Sequence, residues 1–339
     1  MSTMNHPELV LLPANQPKAR FYRGGQRIAD FRSAPPADPF TPEDWIASVT
    51  TVRGQSPAGL SRLPTGELLM SLIADHPLEW LGAAHVESFG VDTKLLVKLL
   101  DAGQRLPVHA HPDAEFAATH LGASHGKAEA WYILSAGTVH LGLRETVDPE
   151  TLLRLVADQR TDELLAMLHA VEVQPGDSVY VPPGVLHAIG PGILLAEVQE
   201  PEDLSILLEW NGFDLDGARD GHLGLGFERA LTAVEHTQRS DDEIRTLVHR
   251  SGSDALLPAE ADRYFRLDQL TGAAALPAGF AVLIGLSGTL SLITERGDAA
   301  QVSSGETMLV PFAVGVLRLA GSGMALVARP PVAGSRGYA

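Results

Sequence analysis

Residues 133–139 read ILSAGTV and return as IGLSGTL at 284–290, while 176–182, GDSVYVP, returns as GETMLVP at 305–311. Two gapped matches in the same order point to one β unit used twice. Around the first copy, short β-type runs bounded by Gly and Pro predict strands at 95–100, 130–134, 138–143, 178–181 and 193–198. The copies differ where chemistry would sit. Ungapped extension of the matches places Phe280 opposite Glu129 and Val316 opposite His187. The second copy is therefore expected to be a structural β unit without a polar cluster.

Helical patterning interrupts this rhythm. Residues 148–170 carry a capping Asp148, Pro149 at the first helical position and leucines at helical spacing, which predicts a helical insert between two strands. FERALTAVEH at 227–236 predicts another helix. Ser240 and Glu243 form a capping box opening a further one, and a linker is expected at about 251–260. The first 90 or so residues give little periodicity, and RFYRGGQRIADF at 20–31 is their most turn-like feature.

Composition bounds the function classes. A chain of 339 residues suggests about two domains, here 1–215 and 216–339. A net charge of −17 argues against nucleic acid and anionic membrane as partners, since both need a positive face. With no cysteine, disulfides, thiolate metal sites and a cysteine nucleophile are excluded. No apolar stretch reaches the ~18–20 residues of a membrane span and no signal pattern opens the chain, so a soluble, cytoplasmic protein is expected.

The chemistry concentrates in three segments. LPVHAHPDAEF holds His109 and His111 at i, i+2, which on a strand sends both side chains to one face. Glu129 opens the run EAWYIL. In GDSVYVPPGVLHAIG, Gly176, Pro182 and Gly184 build a tight connection that delivers His187. Three imidazoles and a carboxylate from separate strands suit one divalent cation: zinc first, with Mn, Fe, Co or Ni also admissible. His120 and His125, in the loop between these segments, are expected to be solvated.

These residues, in this order, resemble the type I phosphomannose isomerases of the cupin superfamily. The resemblance runs from Lys98 in KLLDAG through HAHPDAEFA, GKAEAWYIL and PGDSVYVPPGVLHAIGPGILLAEVQEPED. Weaker matches are RFYRGG, EDWIAS and GHLGLGFERAL. The resemblance implies a mainly β fold of two cupin-type β-sandwich barrels (jelly rolls) with helical insertions, only the first carrying a metal. It implies His109, His111, Glu129 and His187 as metal ligands, His109 standing where the family has Gln. Lys98 and Lys127 match its active-site lysines, and Glu197 and Asp203 its acidic pair.

The implied reaction interconverts mannose 6-phosphate and fructose 6-phosphate through an enediol. Lys127 would donate to the sugar oxygens or shuttle a proton, Glu197 is the candidate base, and Lys98 would help hold an anionic group. One departure stands out: the family carries an arginine where this chain has Leu207. Either Arg219 or Arg144 supplies the missing charge, or the substrate is a sugar without a phosphate. An oxygenase or decarboxylase, and a non-catalytic sugar-binding regulator, remain open on the same ligands. The small-molecule partner is a sugar or sugar phosphate, as monomer or homodimer.

Overall fold

The computed structural model describes residues 7–334. The fold is mainly β, with four antiparallel sheets. In the N-terminal half, a six-stranded sheet runs in the order Val248–His249, Ser178–Val181, Glu129–Ile133, Leu194–Gln199, Leu96–Asp101 and Glu43–Ile46. A five-stranded sheet orders Ile206–Leu207, His109–Ala110, His187–Ile189, Gly137–Leu143 and Leu168–Val173. Central strands such as Leu96–Asp101 and Glu129–Ile133 are buried along their whole length. This is why they read as apolar runs rather than as strict alternation.

The C-terminal half repeats the plan in five- and four-stranded sheets. The matched segments of the repeat become corresponding antiparallel pairs: Glu129–Ile133 with Ser178–Val181, and Ala281–Ser287 with Thr307–Val310. At the compared positions, Phe280 is packed inside and Val316 is exposed. The halves are not separate in their packing. Val10–Leu11 pairs with Thr307–Val310, and one apolar cluster joins Trp131 and Ile133 to Phe265 and Leu326.

The helices are set by caps. Asp148 accepts from the Thr151 amide and opens Pro149–Ala157; a short helix follows at Thr161–Ala166. The insert is shorter than expected, because Leu168–Val173 is already a strand paired with Gly137–Leu143. Cross-strand partners there override local helical spacing. Likewise 227–236 forms only Phe227–Ala230 and the 3-10 turn Leu231–Ala233. Ser240 and Glu243 make the full capping box at the head of Asp241–Leu247. A helix not anticipated, Ala114–Leu121, starts at Asp113, whose carboxylate accepts from the Phe116 amide. The N-terminal segment adds four short helices between Gln26 and Phe89. Among the described residues, no helix is long and apolar enough to cross a membrane.

Candidate metal centre and active site

Two rows of directly opposed residues define the site. In the six-stranded sheet the ladder aligns Trp45, Lys98, Glu197, Trp131 and Val179. Glu43 and Glu129 lie two residues from Trp45 and Trp131, so pleating turns them to the same face. In the five-stranded sheet the row is Leu207, His109, His187 and Leu141. The rows meet inside: Glu129 places Oε1 3.3 Å from His187 Nε2 and Oε2 3.0 Å from His111 Nε2.

The strand carrying the His pair is only two residues long, and His111 lies just beyond it. Its position is held by backbone contacts instead. The Gly184 amide donates to the His111 carbonyl at 2.7 Å. Gly184 has φ +85°, a left-handed conformation natural to glycine, which lets the 182–187 connection turn tightly and bring in His187.

All three imidazoles are buried, and each presents Nδ1 to a backbone carbonyl. His109 reaches Pro107 at 2.8 Å, His111 reaches Leu204 at 2.7 Å and His187 reaches Val185 at 2.8 Å. A carbonyl can only accept, so Nδ1 carries the proton and Nε2 keeps its lone pair. This is the outer-shell arrangement that orients metal-binding histidines. Ligand atoms of the three lie within 4.8 Å of one another, and His187 Nε2 is buried without a hydrogen-bond partner. Neutral nitrogen donors with a carboxylate beside them fit a borderline divalent ion.

Electrostatics agree with neutral ligands. Burial, then the charges of the neighbouring imidazoles, hold His109 well below its ordinary value. Burial and the Lys127 ammonium push His111 down to about 3. Burial drives Glu129 upward, but Lys127 and the imidazoles of His111 and His187 together outweigh it and keep the carboxyl well below the usual carboxylate range. Lys127 Nζ donates to Glu129 Oε2 at 2.8 Å and to His111 Nε2 at 2.9 Å. It bridges two groups that would otherwise face each other as acceptors.

Beside this cluster, Lys98 Nζ lies 3.1 Å from Glu197 Oε1 and 4.9 Å from the centre of the Trp45 ring. Burial opposes the charge on Lys98, yet Glu197, Glu43 and Asp203 together raise it above its ordinary value. Glu197 is also raised, chiefly by burial, with Lys98 pulling the other way and Glu129 adding repulsion. Asp203 stands further out, 3.7 Å from Arg20 Nη1, and accepts from the Arg53 amide at 3.0 Å.

Three residues that motif reasoning left without a role, Arg20, Tyr22 and Glu43, complete the wall, with Trp45 bonded to Glu43. Glu43 accepts from Tyr22 Oη at 2.5 Å, Trp45 Nε1 at 2.7 Å and Arg20 Nη2 at 3.2 Å. Burial works to raise Glu43, but Arg20, Lys98 and these donors bring it to about 2. The signal lay in RFYRGG and EDWIAS, though neither contains a ligand pattern. The glycines of the first are structural. The Gly25 amide donates to Asp101 Oδ2 at 2.7 Å, and a Cβ on Gly24 would stand 2.0 Å from the Asp101 carbonyl oxygen. Arg219 and Arg144 are exposed, and neither lines the cavity. His125 corrects another expectation. It is buried, with Nε2 2.7 Å from Asp92 Oδ2 and Nδ1 3.0 Å from Lys94 Nζ. Charged neighbours from the 92–94 segment enclose it, which a loop sequence does not disclose.

Mannose-6-phosphate isomerase ManA of Bacillus subtilis is 31% identical over 316 residues, which is 88% of this chain and 92% of that relative. The chain belongs to the mannose-6-phosphate isomerase family. A family member from Streptococcus mutans is 37% identical over 174 residues, half of each chain. The solved mannose 6-phosphate isomerase of B. subtilis has a TM-score of 0.70 at 21% identity, covering 95% of this chain and all of that one. A mannose 6-phosphate isomerase bound with zinc and yttrium gives 0.73 at 15% identity, covering 96% of this chain and all of that one. At such identities the two structures establish the shared fold. No family model matches the chain.

Proposed function

We propose that the chain is a metal-dependent isomerase that interconverts mannose 6-phosphate and fructose 6-phosphate. The observation that carries the reading is the convergence of three buried, neutral imidazoles, two of them against Glu129, beside a cavity lined by His109, Glu129, Lys127 and the Lys98–Glu197 pair. Membership of the family supplies the substrate pair. In this reading, the sheets of 1–215, one of them edged by Val248–His249, form a cupin-type barrel that holds one ion through His109, His111, Glu129 and His187. Those of 216–339 form a second barrel without a metal. Zinc is the first choice of ion, supported by the donor set and by the zinc-bound relative.

A divalent ion held by His109, His111, Glu129 and His187 would supply Lewis acidity towards the oxygens of the open-chain sugar. Glu197 takes the proton from C2 to leave an enediolate and returns it to C1, while the O2 hydroxyl proton passes to O1 by way of the enediol. Its upward shift suits a base that must also give the proton back. Lys98 fixes the Glu197 carboxylate. Lys127 donates a hydrogen bond to the substrate oxygens once its contacts with His111 and Glu129 are exchanged. Asp203 binds a sugar hydroxyl at the outer edge.

Leu207 favours a second reading, an uncharged sugar, because it places an apolar side chain directly across the ladder from His109. One assay separates the two. Purified protein is given mannose 6-phosphate or a panel of free sugars, with and without chelator. Chelator-sensitive formation of fructose 6-phosphate is expected, and turnover of free sugars alone would sink the first reading.

A further inference from the structure

The inner cavity raises a question that its metal-binding groups leave open: what meets the negative end of the substrate. Its lysines are engaged, Lys98 by Glu197 and Lys127 by Glu129. Leu207 lines the same space and offers no charge. Among the described residues, one arginine lines it, Arg20, with a side chain 10% exposed.

Arg20 is held but under-used. A guanidinium has five N–H donors in a rigid fork. Here Nη2 donates to Glu43 at 3.2 Å, and Nε is buried with no hydrogen-bond partner. Nη1 stands 3.7 Å from Asp203, an ion pair too long to be a hydrogen bond. A buried cation with donors to spare is costly unless something else completes it. Its surroundings keep it in place: Glu43 is itself anchored by Tyr22 and Trp45, so the guanidinium is positioned before any ligand arrives.

The position fits an elongated substrate. The inner cavity is about 40 Å³, whereas the adjoining one, walled by Thr50, Arg53, Met70, His125 and Glu202, is about 630 Å³. Asp203 borders both, and Arg20, which lines the inner one, stands 3.7 Å from it. A sugar reaching from the large cavity past Asp203 towards His109 would therefore pass this pair.

We propose that Arg20 receives the phosphate group of the substrate through its spare donors, replacing the contact with Asp203, and so sets the preference for phosphorylated over free sugars. This rests on the isomerase reading above. The test compares wild type with Arg20→Gln and Arg20→Lys, metal-loaded to equal content. KM for mannose 6-phosphate is expected to rise about tenfold to a hundredfold in Arg20→Gln, the loss of a charge-assisted contact, with kcat largely kept. Calorimetric affinity for inorganic phosphate falls by a similar factor, while that for mannitol holds. Arg20→Lys, which keeps the charge but not the fork, falls between; it carries the comparison should Arg20→Gln not fold. Unchanged KM and phosphate affinity, or equal losses for phosphate and mannitol, would overturn the proposal. A wild type inert towards mannose 6-phosphate would instead overturn the isomerase reading.

Discussion

Glu197 and Lys98 are direct partners across neighbouring antiparallel strands, and their charged ends meet 3.1 Å apart with both side chains 4% exposed. Neither charge is solvated, so each fixes the protonation state of the other. Removing one partner of such a pair costs far more than the pair contributes, because the survivor is left unpaired.

If Glu197 is the base, Glu197→Gln should lower kcat about 10²–10⁴-fold while metal content stays at the wild-type level. Elemental analysis beside steady-state kinetics checks this. A rate loss that merely tracks loss of metal would count against it.

As a base Glu197 would act deprotonated, and burial raises it above the ordinary carboxylate value. Activity should therefore fall on the acid side at a pH above the usual carboxylate range. Lys98 opposes that rise, so Lys98→Met should move the acid limb of kcat/KM to still higher pH. An acid limb that stays put, in a folded and metal-loaded variant, would remove Glu197 from the role.

If His187 is a metal ligand, His187→Ala deletes a donor whose Nε2 is buried without a hydrogen-bond partner. The wild type should retain one equivalent of divalent ion through gel filtration and the variant none. Chelation should abolish isomerisation, and zinc or manganese should restore it. Full activity in metal-free protein would contradict the site.

Glu43 links stability to pH. Its folded value is about 2, below an unfolded value near 4.5, so the unfolded chain binds the extra proton between these limits. The stabilisation is complete above about pH 5 and is lost as pH falls towards about 2, on the order of 3 kcal/mol. Urea titrations at stepped pH should show this slope, and Glu43→Gln should flatten it.

Ser240 is a test of local encoding. Its hydroxyl accepts from the Glu243 amide and its own amide donates to the Glu243 carboxylate at 2.7 Å. Ser240→Ala should cost about 1 kcal/mol of stability with no change in kcat, read by urea unfolding and assay.

Local rules carried far in this chain. The strands at 95–100 and 193–198 were legible because Gly and Pro bound apolar runs, and they form one residue later, at Leu96–Asp101 and Leu194–Gln199. The Ser240 box was legible because capping acts over three residues. The His and Glu positions were legible because a metal demands particular donor types at particular strand spacings. Convergence of the imidazoles and Glu129 is a tertiary event, but one that their chemistry anticipates.

What the sequence by itself determined was the inventory: which donors exist, which runs are β and where one unit recurs. The tertiary structure alone decided which charges meet. Arg20 and Asp203 lie 183 positions apart, Glu43 meets Arg20 from a different segment, and His125 is buried by Asp92 and Lys94 rather than by its own loop. Such pairings depend on distances set by strand register and sheet packing, and electrostatic energy varies with those distances and with burial. Neither quantity is a property of any one stretch of chain.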